Sequence, residues 1–173
     1  MPADTERVLE TPRTRLEPLM PWHAVHLYKP LCDLRLYKFY AGTPPQSVDE
    51  LRLKYAMLAT RRSPDSSEVW LNWAVRSLDG VYVGRMQATI RGDHAIIGYD
   101  IFPAYWRMGY GKEAAAAMLD FLKNDCKVST VTATVDANNV ASIALIDSLG
   151  FKRVWSGPSD DMPGRIDHRY ELG

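Results

Sequence analysis

"PAYWRMGYGKEAAAAMLDFL", residues 103–122, carries Gly109 and Gly111 one residue apart, then a Lys-Glu pair, then a run of alanines. Alanine is the strongest helix former, so the run predicts a helix that opens at the glycines. Glycine just before a helix permits positive φ and lets a ligand come close to the backbone. The first N–H groups of a helix are unpaired, and the aligned peptide dipoles add about half a positive charge there, which favours an anion. Arg107 and Lys112 flank the turn and add to that field. A tight turn that needs glycine only for its backbone shape has the same signature, and the stretch by itself leaves both readings open.

Gly109-Tyr110-Gly111-Lys112-Glu113-Ala114 also fits G-x-G-x-x-[GA], the dinucleotide-binding turn, with Asp136 beyond the following strand. In that fold the first glycine follows its strand directly, whereas six residues here separate Phe102, the end of the apolar run, from Gly109. Only 37 residues follow Asp136, too few to complete a doubly wound sheet. A P-loop needs Gly-Lys-[Ser/Thr], and Lys112 is followed by Glu113. What remains is an anion cradle over residues 107–112 without a Walker lysine or a metal.

Working outward, "EVWLNWAVR", "GVYVGRMQATI" and "HAIIGYDIF" read as three antiparallel strands joined by Asp79-Gly80 and by the turn at residues 91–93. Upstream lie a strand over Thr14–Pro18, a helix from Pro21 that Pro30 kinks or ends, and a loop at 41–47. A helix running through Arg61 follows, with Ser47 and Glu50 as its capping box. Downstream, the spacing predicts a helix over 110–124, with Ala115, Met118, Leu119 and Leu122 on one face. Next come a β-branched strand "VSTVTATVD", a short helix capped by asparagine and stopped by Gly150, and two final strands. The order is β-α-α-β-β-β-α-β-α-β-β, without repeat or linker, which predicts one domain over 1–173.

The chain has 173 residues, 46% hydrophobic and 24% charged, with 21 Lys and Arg against 21 Asp and Glu. That balance suits a globular core and gives no positive field for nucleic acid. No apolar stretch approaches the ~18 residues of a membrane span, and the polar start "MPADTERVLE" is no signal peptide, so a cytoplasmic address is expected. Cys32 and Cys126 stand far apart, outside any metal-ligand spacing, and read as buried free thiols. No metal is expected.

The combination of Gly98, Tyr99, Pro103, Tyr105, Trp106, Gly109, Tyr110, Glu113 and Ala114 with Asn139, Ser142, Leu149, Gly150 and Phe151 resembles the GNAT N-acetyltransferase superfamily. Within it, the chain is most similar to the ribosomal-protein N-terminal acetyltransferase branch. The stretches "LETPRTRLEPLMPWHAVHLY", "RLYKFYAGTPPQSVDEL" and "DHRYEL" share that likeness, which therefore covers nearly the whole chain. The resemblance implies a mixed α/β (α+β) fold with a central, mostly antiparallel sheet, splayed strands and flanking helices. It implies acetyl-CoA as cofactor, with the pyrophosphate on the amides of Met108, Gly109, Tyr110, Gly111 and Lys112, beside Arg107. The pantetheine would pair with the strand end at Ile101 and Phe102, and Asn139 and Ser142 would lie near the thiol. A homodimer is an available assembly among such relatives.

The chain departs from the family at the chemistry. Trp106 replaces the superfamily's Gln or Arg, although the closer branch shares it, and Arg107-Met108 replaces Gly-Lys. Where many members place a tyrosine, this chain has Ile146, which donates nothing. Ser142, one turn earlier on the same helix face, is then the candidate to stabilise the leaving thiolate, with a helix-capping role as its alternative. The members' strand glutamate is replaced by Ala95 or Ile96, so Asp100 is the expected base, ahead of Glu68, Asp167, His94 and His168. A backbone N–H of Ile101 or Phe102 is the expected oxyanion donor. Tyr37, Phe39, Tyr40 and Trp73, with Trp70, are expected to line the acceptor cleft, although aromatic clusters also serve core packing. The expected reaction is transfer of acetyl to a primary amine, with a protein N-terminus as first reading. A small amine (polyamine, amino acid or aminoglycoside) or a non-catalytic acyl-CoA-binding role are the alternatives.

Overall fold

A computed structural model of the chain describes residues 3–173; Met1 and Pro2, the start of the polar N-terminal stretch, lie outside the described residues. The elements are β1 (Leu9–Glu10), β2 (Thr14–Pro18), α1 (Ala24–Leu31), α2 (Val48–Leu58), β3 (Val69–Ser77), β4 (Tyr82–Arg91) and β5 (His94–Ile101). Then follow α3 (Tyr110–Asn124), β6 (Thr130–Asp136), α4 (Val140–Ser148), β7 (Lys152–Pro158) and β8 (Ile166–Leu172). Three short 3-10 turns, Pro21–His23, Leu34–Lys38 and Pro103–Tyr105, punctuate them. The strands form an eight-stranded sheet in the order β1-β2-β3-β4-β5-β6-β8-β7. Every pairing is antiparallel except β5 with β6, and α3 supplies the crossover that a parallel pair requires.

Residue patterns account for the layers. Met86, Ala88 and Ile90 on β4, and Ala95 and Ile97 on β5, are buried at period two, as a half-buried strand demands. On α3, Ala114, Ala115, Met118, Phe121 and Leu122 pack on that face of the sheet together with Leu16, Leu71 and Val75. Leu27, Leu31, Leu51 and Tyr55 of α1 and α2 cover the other face, meeting Ala74 and Phe102. At roughly 1.5–3 kcal/mol per buried large aliphatic or aromatic side chain, these two layers dominate the favourable side of folding.

Several expectations need amending. β1, a two-residue strand paired with β2, is too short to leave a pattern in sequence. α2 stops at Leu58 rather than running through Arg61, which sits at φ +60° and is buried against Glu6 and the Leu19 carbonyl. Its capping box is shifted: Ser47 accepts from the Glu50 N–H, but the Glu50 carboxylate accepts from the N–H of Gln46. Cys126 is partly buried, with its thiol pushed up to about 11 by burial, whereas Cys32 is exposed rather than buried. No helix among the described residues is long and apolar enough to cross a membrane.

Candidate active site

The segment between β5 and α3 is shaped by its own residues. Pro103 starts the 3-10 turn, Arg107 and Gly109 both take left-handed φ (+61° and +82°), and α3 begins at Tyr110. Among the described residues, no backbone or side-chain acceptor meets the N–H groups of residues 107–112. Consecutive outward N–H groups of this kind form a concave anion site, reinforced by the helix dipole. Gly111 is buried because a side chain has no room there: a Cβ would stand 2.9 Å from Leu145 Cδ1 and 3.2 Å from Ile101 Cγ1. Arg13 holds the loop from outside. Its Nη1 donates to the Met108 carbonyl at 2.8 Å, its Nε to Glu113 Oε2 at 2.7 Å, and its guanidinium lies 4.8 Å from the Tyr110 ring centre. Glu113 also accepts from Thr11 and from the Arg13 N–H, which neutralises a carboxylate that would otherwise oppose an anion at this helix start. Arg107 and Met108 are exposed on the loop, and Lys112 is exposed in the first turn of α3.

Beside this loop the sheet opens. β5 pairs with β6 only from His94 to Ile97, after which Gly98–Ile101 stay with β4 while β6 continues with β8. The Phe102 N–H donates to the Val83 carbonyl at 2.9 Å, so Phe102 is not an available oxyanion donor, and its ring is buried under α1. Antiparallel alternation then turns the N–H groups of Tyr99 and Ile101 away from β4 and into the opening. Trp106 reaches the same edge, its Nε1 donating to the Ile101 carbonyl at 2.6 Å. This arrangement, an unpaired strand edge running into an N–H cradle, fits an extended pantetheine arm with a pyrophosphate at its end.

Ser142 faces that opening from α4. Asn139 is the helix cap, its side chain accepting from the Ser142 N–H at 3.1 Å, so the Ser142 hydroxyl is not used for capping. Ser142 Oγ lies 2.6 Å from Tyr99 Oη, with either hydroxyl able to donate, and burial pushes the Tyr99 phenol up to about 12. Ile146, at the position of the absent tyrosine, is fully buried.

Asp100 points to the opposite face from Tyr99 and Ile101 and forms an ion pair with Arg85. The Arg85 guanidinium occupies the carboxylate on the face away from the opening, so Asp100 is not placed as a general base. Burial lowers the Arg85 guanidinium, but Asp100 outweighs it and the net shift is upward. Tyr37 and Tyr40, rings 5.4 Å apart, share this side, and the Tyr40 phenol is raised by burial and by the Asp100 charge. Arg165 ties the loop to the sheet: Nε donates to Asp136 Oδ2 at 2.7 Å, Nη2 to the Lys38 carbonyl at 3.0 Å, and the guanidinium lies 5.8 Å from the Phe39 ring centre.

The other expected residues lie elsewhere. Trp73 is 2% exposed, edge-on to Phe121 under α3, and so belongs to the core rather than to a cleft. Trp70 donates to Glu68, which also pairs with Arg91, and His94 bonds Thr132; all three sit toward the far end of β3–β5. His168 is held by Ser156 and Arg153, and Asp167 pairs across to Asp136 on the β6–β8 ladder. Arg13, Arg85, Tyr99 and Arg165 escaped the sequence reading as site residues. Only Tyr99 had a signal, its alternation with Asp100 along a strand that runs toward the cradle. Among the described residues, no cluster of three or more His, Cys, Asp or Glu is arranged to hold a metal.

Comparison with known proteins gives the family and the fold. Residues 13–152 match the description "Acetyltransferase (GNAT) domain". The chain belongs to the GNAT acetyltransferase family. It is 23% identical over 154 residues, 84% of this chain and 83% of the relative, to the uncharacterized N-acetyltransferase YoaA of Bacillus subtilis (strain 168). In fold it is similar to Mycobacterium smegmatis RimJ in complex with CoA-disulfide, at TM-score 0.87 and 17% identity, over 99% of this chain and 90% of that one. It is similar also to the ribosomal-protein-S5-alanine acetyltransferase of Vibrio fischeri, at TM-score 0.82 and 11% identity, over 96% of each chain. This GNAT protein is an acyltransferase with the mixed, mostly antiparallel sheet of its family.

Proposed function

We propose that this GNAT protein transfers the acetyl group of acetyl-CoA to a primary amine, with the α-amine of a protein N-terminus as its acceptor class. The observation that carries the reading is the convergence, at one opening in the sheet, of a free strand edge, an N–H cradle and the Ser142 hydroxyl. Bound there, acetyl-CoA supplies an activated acyl thioester. The N–H groups of Met108 to Lys112 bind the pyrophosphate, with Arg107 and Lys112 adding charge and Arg13 fixing the loop. The Ile101 N–H donates to the oxygen that becomes negative as the amine attacks. Ser142 donates a hydrogen bond to the sulfur as it takes up charge, and Asn139 holds the helix turn that presents it. Asp100 serves the acceptor rather than acting as base: with Tyr37 and Tyr40 it offers a carboxylate and aromatic faces to an ammonium. An α-amine, with an ordinary pKa of about 8, loses its proton to water near neutral pH without a dedicated base.

Incubating the protein with acetyl-CoA and a pool of amines, peptides and ribosomal proteins, followed by mass spectrometry, tests this. Acetylated N-termini are the expected product. Acetylation of small amines alone would move the acceptor to polyamines, amino acids or aminoglycosides. Tight coenzyme A binding with no amine modified at any pH would remove the acetyl-transfer reading.

A further inference from the structure

Among the described residues, Tyr99 is the one polar side chain bonded to the Ser142 hydroxyl, across the opening between β5 and α4. The two oxygens are 2.6 Å apart, while the Ser142 carbonyl, at 3.4 Å from Tyr99 Oη, is a much weaker competitor. Either hydroxyl can donate in this bond; in the arrangement where the more acidic phenol O–H donates, Ser142 Oγ accepts. Ser142's own proton must then point elsewhere. Among the described residues, no other acceptor is bonded to Ser142 Oγ; Asn139 Oδ1 accepts from the Ser142 N–H. The direction left for that proton is the opening itself.

We propose that Tyr99 is a positioning residue that fixes the Ser142 hydroxyl as a donor toward the sulfur of coenzyme A. The inference rests on the acetyl-CoA reading of the site and deepens it. The phenol suits the role because burial holds it protonated across the physiological range, so it donates at every working pH. Chained hydroxyls also polarise one another, which strengthens the outer donor. The chemistry balances without either residue losing a proton. The neutral amine's lone pair forms the C–N bond, and the nitrogen gives its extra proton to water. The C–S bond breaks with its electron pair on sulfur, and the thiolate, hydrogen-bonded by Ser142, is protonated by solvent on release. The pair thereby does on two elements what a tyrosine at position 146 cannot do here.

Calorimetric titration of coenzyme A and of desulfo-coenzyme A, which lacks the thiol, reads the contact without turnover. Wild type should bind coenzyme A about three- to tenfold more tightly than the desulfo analogue, as one hydrogen bond allows. Y99F, which keeps the ring and its packing, should bring that ratio close to one, as should S142A. In steady state Y99F should lower kcat by about tenfold with the acetyl-CoA KM within about twofold of wild type, and Y99F/S142A should be no slower than S142A alone. A wild-type ratio in Y99F, or single-variant losses that multiply in the double variant, overturns the proposal while leaving the acetyl-transfer reading intact. Failure of the wild-type protein to bind coenzyme A at all removes both.

Discussion

Gly111 is where one atom decides the site. The sequence shows a glycine beside a helix start; the structure shows why no other residue fits, since a Cβ would press on Leu145 and Ile101 at once. Both neighbours belong to the opening, so a larger side chain must push β5 and α4 apart. Gly111→Val should cost about 1–3 kcal/mol of stability, as overpacking does. It should also weaken coenzyme A binding by more than about tenfold, a loss of the order of one good contact set. Thermal melts and calorimetry measure the two effects, and wild-type affinity in a folded Gly111→Val protein would count against the cradle. Trp73 teaches the reverse. Its type and place in a β-rich run look the same for a cleft wall and for a core, and only the packing of Phe121 against it separates them. Asp100 was readable as a carboxylate near the site, but its partner Arg85 lies 15 residues away on the neighbouring strand, beyond any local pattern.

At the scale of elements, the decisive feature is where β5 and β6 part. Local alternation predicts both strands but not the point at which their pairing ends: β5 leaves β6 after Ile97 and stays with β4, while β6 runs on to Asp136 with β8 on its other edge. The resemblance, not the periodicity, anticipated the opening. The loop after α1 shows a second long-range dependence. Residues 39–42 have no regular structure after the 3-10 turn Leu34–Lys38, and Arg165, from the loop before β8, holds the end of that turn to the buried Asp136. Arg165→Met should therefore cost about 1–3 kcal/mol, because it removes the one charged donor from the buried Asp136 among the described residues and leaves it to Asn138. It should speed hydrogen exchange over residues 37–42 and raise the acceptor KM several-fold. Coenzyme A affinity should not change, since the cradle lies on another loop. Exchange at wild-type rates in that segment would show that Arg165 does not restrain it.

Across the whole molecule, the polar cluster between the sheet and α1 sets how stability follows pH. His23 is fully buried, its Nδ1 accepts from the Met20 N–H, and its Nε2–H therefore donates to Glu17, which also accepts from Tyr82. Burial lowers the His23 pKa by more than the Glu17 bond raises it, so the folded protein keeps the ring neutral while the unfolded chain protonates at its ordinary 6.5. Stability from this group is full above pH 6.5 and is lost as pH falls below that value toward the lowered folded one. Glu17, which burial would raise but which Tyr82, His23 and Arg76 bring below its ordinary value, adds a second loss at more acid pH. Chemical denaturation between pH 8 and pH 5, a range chosen to bracket the ordinary histidine value of about 6.5, should show this decline, and His23→Gln should flatten its upper part. An unchanged slope in that variant would mean other groups carry it. By itself the sequence pointed, through its resemblance to known acetyltransferases, to the family, and it determined the glycine-opened helix of α3 and the order of every element but the two-residue β1. These depend on side-chain period, turn chemistry and local spacing, which act over a few residues. Tertiary structure alone decided which aromatics are core, which carboxylate is already paired, and that a strand tyrosine meets the Ser142 hydroxyl. Those outcomes join residues tens of positions apart, and no local rule specifies which partners a folded chain brings within a bond's length.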